Sequence, residues 1–305
     1  EVYRMYPTLS VFLPNGDFAG IYLNGGNYNI IGKMALAGRN KKETWDQWYT
    51  GRFDLHPMKG LSVKGDYSWN RYSTVQKFHR KEMTQTFPEG RDPYLVETPN
   101  YVRNYNSNNI YQAINVWAEY KKSFNDVHNL SLMAGYNQEE KTYASTSYTM
   151  TDLYDNEMPI SDLAINYKEN EEGSDIWRVQ GAFFRLNYDY RSKYLLEVNG
   201  RYDGSSKYAK HDRWAFFPSA SVGWRISEEK FFKSLSKVVD NLKIRASIGA
   251  LGNQITDGNH SFMSIISGKV LTNYMMDGKI VNGLNIPTLP SMVTWEKVIT
   301  KDIGL

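Results

Sequence analysis

Residues 194–226 read YLLEVNGRYDGSSKYAKHDRWAFFPSASVGWRI. In the first half Tyr194, Leu196, Val198, Gly200 and Tyr202 fall on one side of a two-residue period, opposite Leu195, Glu197, Asn199, Arg201 and Asp203. In the second half Phe216, Pro218, Ala220, Val222, Trp224 and Ile226 oppose Phe217, Ser219, Ser221, Gly223 and Arg225. A period of two is that of a β-strand, whose successive side chains point to opposite faces. The stretch predicts two antiparallel strands, each with an apolar and a polar face, joined by DGSSKYAKHDR as an outer loop.

The same split recurs at 242–250, where Leu242, Ile244, Ala246, Ile248 and Ala250 oppose Lys243, Arg245, Ser247 and Gly249. It recurs at 61–70, where Leu61, Val63, Gly65, Tyr67 and Trp69 oppose Ser62, Lys64, Asp66, Ser68 and Asn70. Two further runs, 114–120 and 130–136, are noisier, because Trp117 and Met133 fall on the polar side. One register follows directly. Phe184, Leu186, Tyr188 and Tyr190 precede RSK and Tyr194, Leu196 and Val198 follow it, so same-face pairing requires an odd-numbered loop, which a turn at 191–193 supplies.

Connection lengths alternate. PMKG is short, the excursion after Asn70 runs roughly 40 residues, KKSFNDVHN is shorter, 141–175 is long, RSK is short, 204–213 is intermediate and 251–290 is long. Short turns on one side and long loops on the other are the layout of an outer-membrane barrel. The segment 227–241, SEEKFFKSLSKVVDN, breaks the rule and has the spacing of a short helix. Residues 1–42 are expected to be extracellular loop with a short helix around Ile30, Ile31, Met34 and Ala35, and 43–305 to be barrel.

Composition agrees. Lys+Arg number 36 against 33 Asp+Glu, so no field selects nucleic acid. The 23 Tyr, 13 Phe and 8 Trp accompany 23 Gly, while mean hydropathy is −0.57; this is not the recipe of a buried aliphatic core. The absence of Cys excludes a disulfide framework, a thiolate nucleophile and a Cys-ligated metal in this stretch. No run of about 18 apolar residues suggests a membrane helix, but a barrel strand needs only about 9–11 residues of alternating character. The alternative fold is a soluble, secreted β-sandwich that binds carbohydrate. Strand length, aromatic strand ends and the charges Arg185, Arg201, Arg225, Lys243, Arg245, Glu197, Asp189 and Asp66 on the non-apolar face favour the barrel, because unpaired ions inside a sandwich cost several kcal/mol.

The runs RYDGSSKY, FFPSASVGWRISEE, LKIRASIGALGNQ and WEK, with the tyrosine strand 184–190, resemble the SusC/RagA-type TonB-linked outer-membrane transporters of Bacteroidetes. Arg201, Asp203, Gly204, Ser205, Phe217, Pro218, Ser219, Gly223, Trp224, Arg225, Gly252 and Asn253 carry the resemblance. It implies an all-β antiparallel transmembrane barrel of about 22 strands with a plugged lumen, of which this chain is a slice of roughly ten. It also implies import of oligosaccharides or peptides, a SusD-like surface lipoprotein as lid, and TonB acting through a plug. Plug, signal peptide and last strands are expected to lie outside this stretch.

Asp203 invites a reading as ligand or catalytic carboxylate, but Asp-Gly-Ser-Ser is first a turn signature. The histidines 56, 79, 128, 211 and 260 show no ligand spacing. The acidic run from Asp152 to Asp175 offers carboxylates to Ca²⁺ without EF-hand spacing, so a solvated loop is the plainer reading. Neither Gly-x-Ser-x-Gly nor His-Glu-x-x-His occurs, and the chain is not expected to be an enzyme. Substrate contact is expected from loop aromatics, with Tyr101, Tyr105, Tyr143, Tyr148 and Tyr154 as candidates.

Overall fold

Nine strands pair in chain order into one sheet. They are β1 (Gly38–Met58), β2 (Leu61–Arg80), β3 (Tyr101–Phe124), β4 (His128–Leu153), β5 (Ala164–Tyr190), β6 (Tyr194–Ser205), β7 (Trp214–Arg225), β8 (Lys243–Asn253) and β9 (Glu296–Gly304). Among the described residues one α-helix, α1 (Ile30–Leu36), precedes them. This computed structural model describes residues 10–19, 22–23, 26–27, 29–86, 92, 94–234, 238–254, 258–260, 262, 271–284 and 293–305. Parts of the expected loops at 1–42, 227–241 and 251–290 lie outside the described residues.

The alternation of connections is real, but its lengths differ from expectation. The excursion after Asn70 is largely strand, since β2 continues to Arg80 and β3 begins at Tyr101. The loop expected at 141–175 shrinks to 154–163, between β4 and β5. The 27 residues of β5 far exceed the roughly 9–11 that a membrane-crossing strand needs. In residues 164–174 of β5 the alternation that marks 182–190 is missing, so these residues read as loop in the sequence. The start of the sheet also moves from residue 43 to Gly38.

Two compact units divide the chain: residues 1–47, 71–109 and 143–174 form one, and 48–70, 110–142 and 175–305 the other. In the first, buried Asn29 caps α1 by accepting from Gly32 N (3.0 Å) and donates to the Ala19 and Val11 carbonyls (2.7 and 3.0 Å). Two further asparagines act as backbone surrogates: Asn100 exchanges hydrogen bonds with the Leu153 N–H and carbonyl, and Asn156 with those of Glu82.

In the second unit the sequence register holds. Tyr194 faces Tyr190 and Trp224, Leu196 faces Tyr188 and Val222, Val198 faces Leu186 and Ala220, and Tyr202 faces Ala182 and Phe216. Ala220 and Val222 then meet Ile248 and Ala246. One face is therefore apolar across β5–β8. The turn at 191–193 has Arg191 and Ser192 at φ 52° and 56°, with Lys193 N donating to Tyr190 O (2.9 Å). The segment after β7 is 3-10 helix at Ile226–Glu228 and Lys230–Ser234.

Glycine and aromatic residues are enriched together because they pack together. A methyl on Gly204 would lie 2.8 Å from the Trp214 ring, and one on Gly200 would overlap Phe184. Trp117 and Phe183 cover Gly135 in the same way, which explains the aromatic residue that blurred the third strand's pattern. Gly204 sits in β6 at an ordinary negative φ, and Asp203 and Ser205 are strand residues too, so the expected outer loop begins only at Ser206. The length of β6 corrects the turn assignment: the Asp-Gly pair serves strand packing against Trp214.

Candidate functional site

In the unit of 71–109 and 143–174, odd-numbered residues of β3 alternate chemistry along one face. Tyr101 stacks on Phe78 (centroids 5.5 Å, 26°), and the Arg80 guanidinium lies 4.5 Å over the Tyr101 ring. Arg80 is held there by Pro99 O (2.8 Å) and by Glu97 (3.5 Å). Two residues on, Arg103 donates to Ser147 Oγ (3.3 Å) and pairs with Glu171 (3.6 Å). Two further, Tyr105 shares a hydrogen bond with Tyr143 (3.2 Å). The hydrogen bond with Tyr143, then that with Ser107, pulls the Tyr105 hydroxyl below the ordinary phenol pKa. Gln76, Phe78, Tyr101, Arg103 and Tyr105 line a cleft of about 330 Å³.

Three of the five candidate tyrosines, 101, 105 and 143, thus belong to this cleft and its rim. They stand on strands, not on loops. Tyr148 occupies the other parity of β4, opposite Ser147, and Tyr154 is 87% exposed just beyond the strand. Phe78, Arg80, Gln76 and Arg103 were missed by sequence reading, although Tyr-x-Arg-x-Tyr at 101–105 shows the same period of two. An aromatic wall with hydroxyl, amide and guanidinium groups at its edge can stack on a ring or apolar side chain and orient it by hydrogen bonds.

The second unit presents a polar face. Arg201 grips Asp203 with two hydrogen bonds (2.8 and 2.9 Å) and reaches Asn137 (3.1 Å). Tyr111 donates to Glu139 (3.0 Å), Asn115 to Asp66 (2.9 Å), Arg185 to Asn199 (2.7 Å) and Asn129 to Asp189 (3.2 Å). A groove of about 1050 Å³ on this unit is lined by residues including Lys121, Asn129, Asp189, Glu197, Lys243 and Arg245. Charged side chains there bond to amides and hydroxyls across strands, and Arg201 pairs with Asp203 within β6, which offsets the cost of taking them from water.

The stretches that carried the resemblance converge around Trp295. Its ring packs on Tyr208 (5.2 Å) and edge-on to Phe217 (5.3 Å, 63°), and its indole N–H donates to Arg213 O (3.0 Å). Tyr208 donates to Asn253 O (3.3 Å), Asn253 to Glu296 (3.0 Å), and Gly252 leaves room for the Phe217 ring. The remaining motif residues, Pro218, Ser219, Gly223, Trp224 and Arg225, are all in β7.

The acidic run is dispersed. Asp152 accepts from Asn166 (2.9 Å) and Thr151 (2.7 Å), which lower its pKa in that order; Asp155 accepts from Glu157 N, Glu171 pairs with Arg103, and Asp175 contacts Asn259 and His260. Among the described residues no three His, Asp or Glu side chains form a metal cluster.

Comparison with known proteins places this geometry. The family model "TonB dependent receptor-like, beta-barrel" matches residues 3–305. The chain is 28% identical over its whole length to TonB-dependent receptor P3 of Formosa agariphila, covering 29% of that protein. It is 32% identical to TonB-dependent receptor SusC of Bacteroides thetaiotaomicron over 40% of this chain and 12% of SusC. A solved structure, the RagAB peptide importer in its "open-open" state, superposes with a TM-score of 0.72 at 20% identity, over 95% of this chain and 31% of that one. The chain spans less than a third of the length of these relatives. With nine strands in meander order, paired registers and a match from residue 3 to residue 305, the chain belongs to the TonB-dependent receptor-like β-barrel family.

Proposed function

We propose that this chain is part of the barrel wall of a SusC/RagA-type transporter in the bacterial outer membrane. The transporter imports an oligosaccharide or peptide, with TonB acting through a plug and a SusD-like lipoprotein on the side of the long connections. One observation carries the reading. The apolar face of β5–β8 is bare: Tyr202 is 49% exposed and Val222 54%, with no second sheet over them among the described residues. A sandwich would bury these side chains against a partner sheet, whereas lipid covers them in a membrane. The charged, hydrogen-bonded side chains opposite them suit an aqueous lumen. Among the described residues the edges β1 and β9 have one neighbour each, as expected for strands that pair onward in a closed barrel. The proposed substrate contact is the cleft of Phe78, Tyr101, Arg103 and Tyr105.

The test is uptake by a strain deleted for the complete receptor and complemented with wild type or Tyr101→Ala. Defined oligosaccharides and peptides are supplied as sole nutrient. Loss of growth on one class in the deletion, restored by wild type and reduced at least tenfold in uptake rate by Tyr101→Ala, supports the reading. Recovery of the receptor in the soluble fraction, or unchanged uptake in the deletion, contradicts it.

A further inference from the structure

The connection between β7 and β8 is too long for its side of the sheet. Its companions are 59–60, 125–127 and 191–193, yet it runs from Ile226 to residue 242. Its base is closed by Ser227 N donating to Leu242 O (3.2 Å) and by Ser227 Oγ to Asn241 (3.4 Å). It does not hang free. Glu229 accepts from the Tyr194 hydroxyl (2.7 Å), from Lys193 (3.1 Å) and from the Trp224 indole N–H (3.4 Å).

Tyr194 and Trp224 are the last residues of the apolar face at this end. Their rings stack (6.4 Å, 11°), and Tyr190 continues the row against Tyr194 (6.2 Å, 21°). Such rows of Tyr and Trp settle where lipid headgroups begin. Glu229 therefore fixes the connection at the level of the headgroups. Immediately after it, two phenylalanines divide: Phe232 is buried (5% exposed), whereas Phe231 projects with 65% of its surface free. Val238, at the far side of the same connection, is also exposed. The sequence places Lys230 and Lys233 beside these phenylalanines, the mixture of basic and apolar residues of a segment lying in an interface plane.

We propose that residues 226–234 form an interfacial anchor that seats Phe231 in the phospholipid leaflet on the short-turn side, with Glu229 as its clasp to the aromatic row. The occupant is a phospholipid surface because the exposed Phe231 is continuous, through Glu229, with the face already assigned to lipid. This inference rests on the barrel reading, and the test separates the two.

The chain has no cysteine, so single nitroxide labels can be placed in the complete receptor after removal of any cysteine elsewhere in it. Labels at Phe231→Cys, Val222→Cys and Arg191→Cys are compared in vesicles of phosphatidylethanolamine and phosphatidylglycerol. Collision with oxygen, which prefers lipid, is measured against collision with a water-soluble nickel chelate. The expected oxygen-to-nickel ratio at 231 is severalfold above that at 191 and below that at 222. Adding Glu229→Ala brings the 231 ratio toward that of 191 while leaving 222 unchanged. A water-like ratio at 231 with a lipid-like ratio at 222 overturns the anchor and leaves the barrel standing. A water-like ratio at 222 overturns both. A lipid-like 231 label that ignores Glu229→Ala removes the clasp from the proposal.

Discussion

Replacing Trp295 with alanine tests whether the convergence of distant motif residues holds this end of the sheet together. A tryptophan side chain buries about 150–250 Å², and Trp295 is 93% covered, since only 7% of its surface is exposed. At about 25 cal/mol per Å² this is an upper estimate of roughly 4–6 kcal/mol. Aromatic-to-alanine changes in packed sites cost about 3–5 kcal/mol. The expected loss is therefore about 3–5 kcal/mol, or roughly two to four decades in the folding equilibrium. Trp295→Phe keeps a ring against Tyr208 and Phe217 but leaves the Arg213 carbonyl without its donor, at about 1–3 kcal/mol. The assay is guanidinium unfolding of the complete receptor in phospholipid vesicles, followed by the gel migration of the folded barrel. If Trp295→Ala stays within about 1 kcal/mol of wild type, the cluster is incidental and the reasoning fails.

Three further outcomes are expected. Gly200→Val lowers the yield of folded barrel because its side chain meets the Phe184 ring, and Phe184→Ala in the same chain restores part of it; an unrescued double variant would count against the packing explanation. The Tyr194 hydroxyl, then Lys193, hold the Glu229 carboxyl below the usual range, so the clasp's contribution is present above the unfolded value of about 4.3 and is lost as pH falls through the lower folded value. A nitroxide at position 231 should accordingly move toward water only in acid, and loss of depth already at pH 7 would refute the sign. Burial, and then Lys81, push His79 below its ordinary value. Its contribution is full above about pH 6.5 and declines as pH falls through it, where the unfolded chain takes a proton that folded His79 resists. Unfolding midpoints from pH 8 to 5 should show this slope in wild type and lose part of it in His79→Gln.

How much of this was legible in sequence depended on solvent. On the face proposed to meet lipid, as at Leu196, Val198 and Val222, alternation of hydropathy is regular and the register could be read from sequence alone. Elsewhere in β2–β4, residues 71–80, 101–109 and 143–153 mix polar residues with scattered apolar ones and lack regular alternation, and the same backbone looked like loop. The candidate cleft lies in that second zone. Tyr101, Tyr105 and Tyr143 were named as candidates because tyrosine is conspicuous, while Phe78 and Arg80 join the candidate cleft only through the pairing of β2 with β3. Asp203 shows the opposite failure: a strong local turn signature was overruled by the Arg201 fork and by the Trp214 ring over Gly204.

The central claim is that the two-residue period of β6 separates lipid from water. A cysteine scan of positions 194–202 in the complete receptor, in intact outer membranes, tests it with a membrane-impermeant, water-soluble maleimide small enough to enter the lumen. The account predicts labelling at 195, 197, 199 and 201 and protection at 194, 196, 198 and 202, with position 200 left as glycine because a side chain there overlaps Phe184. Uniform labelling of both sets, as for a sheet in water, would contradict it.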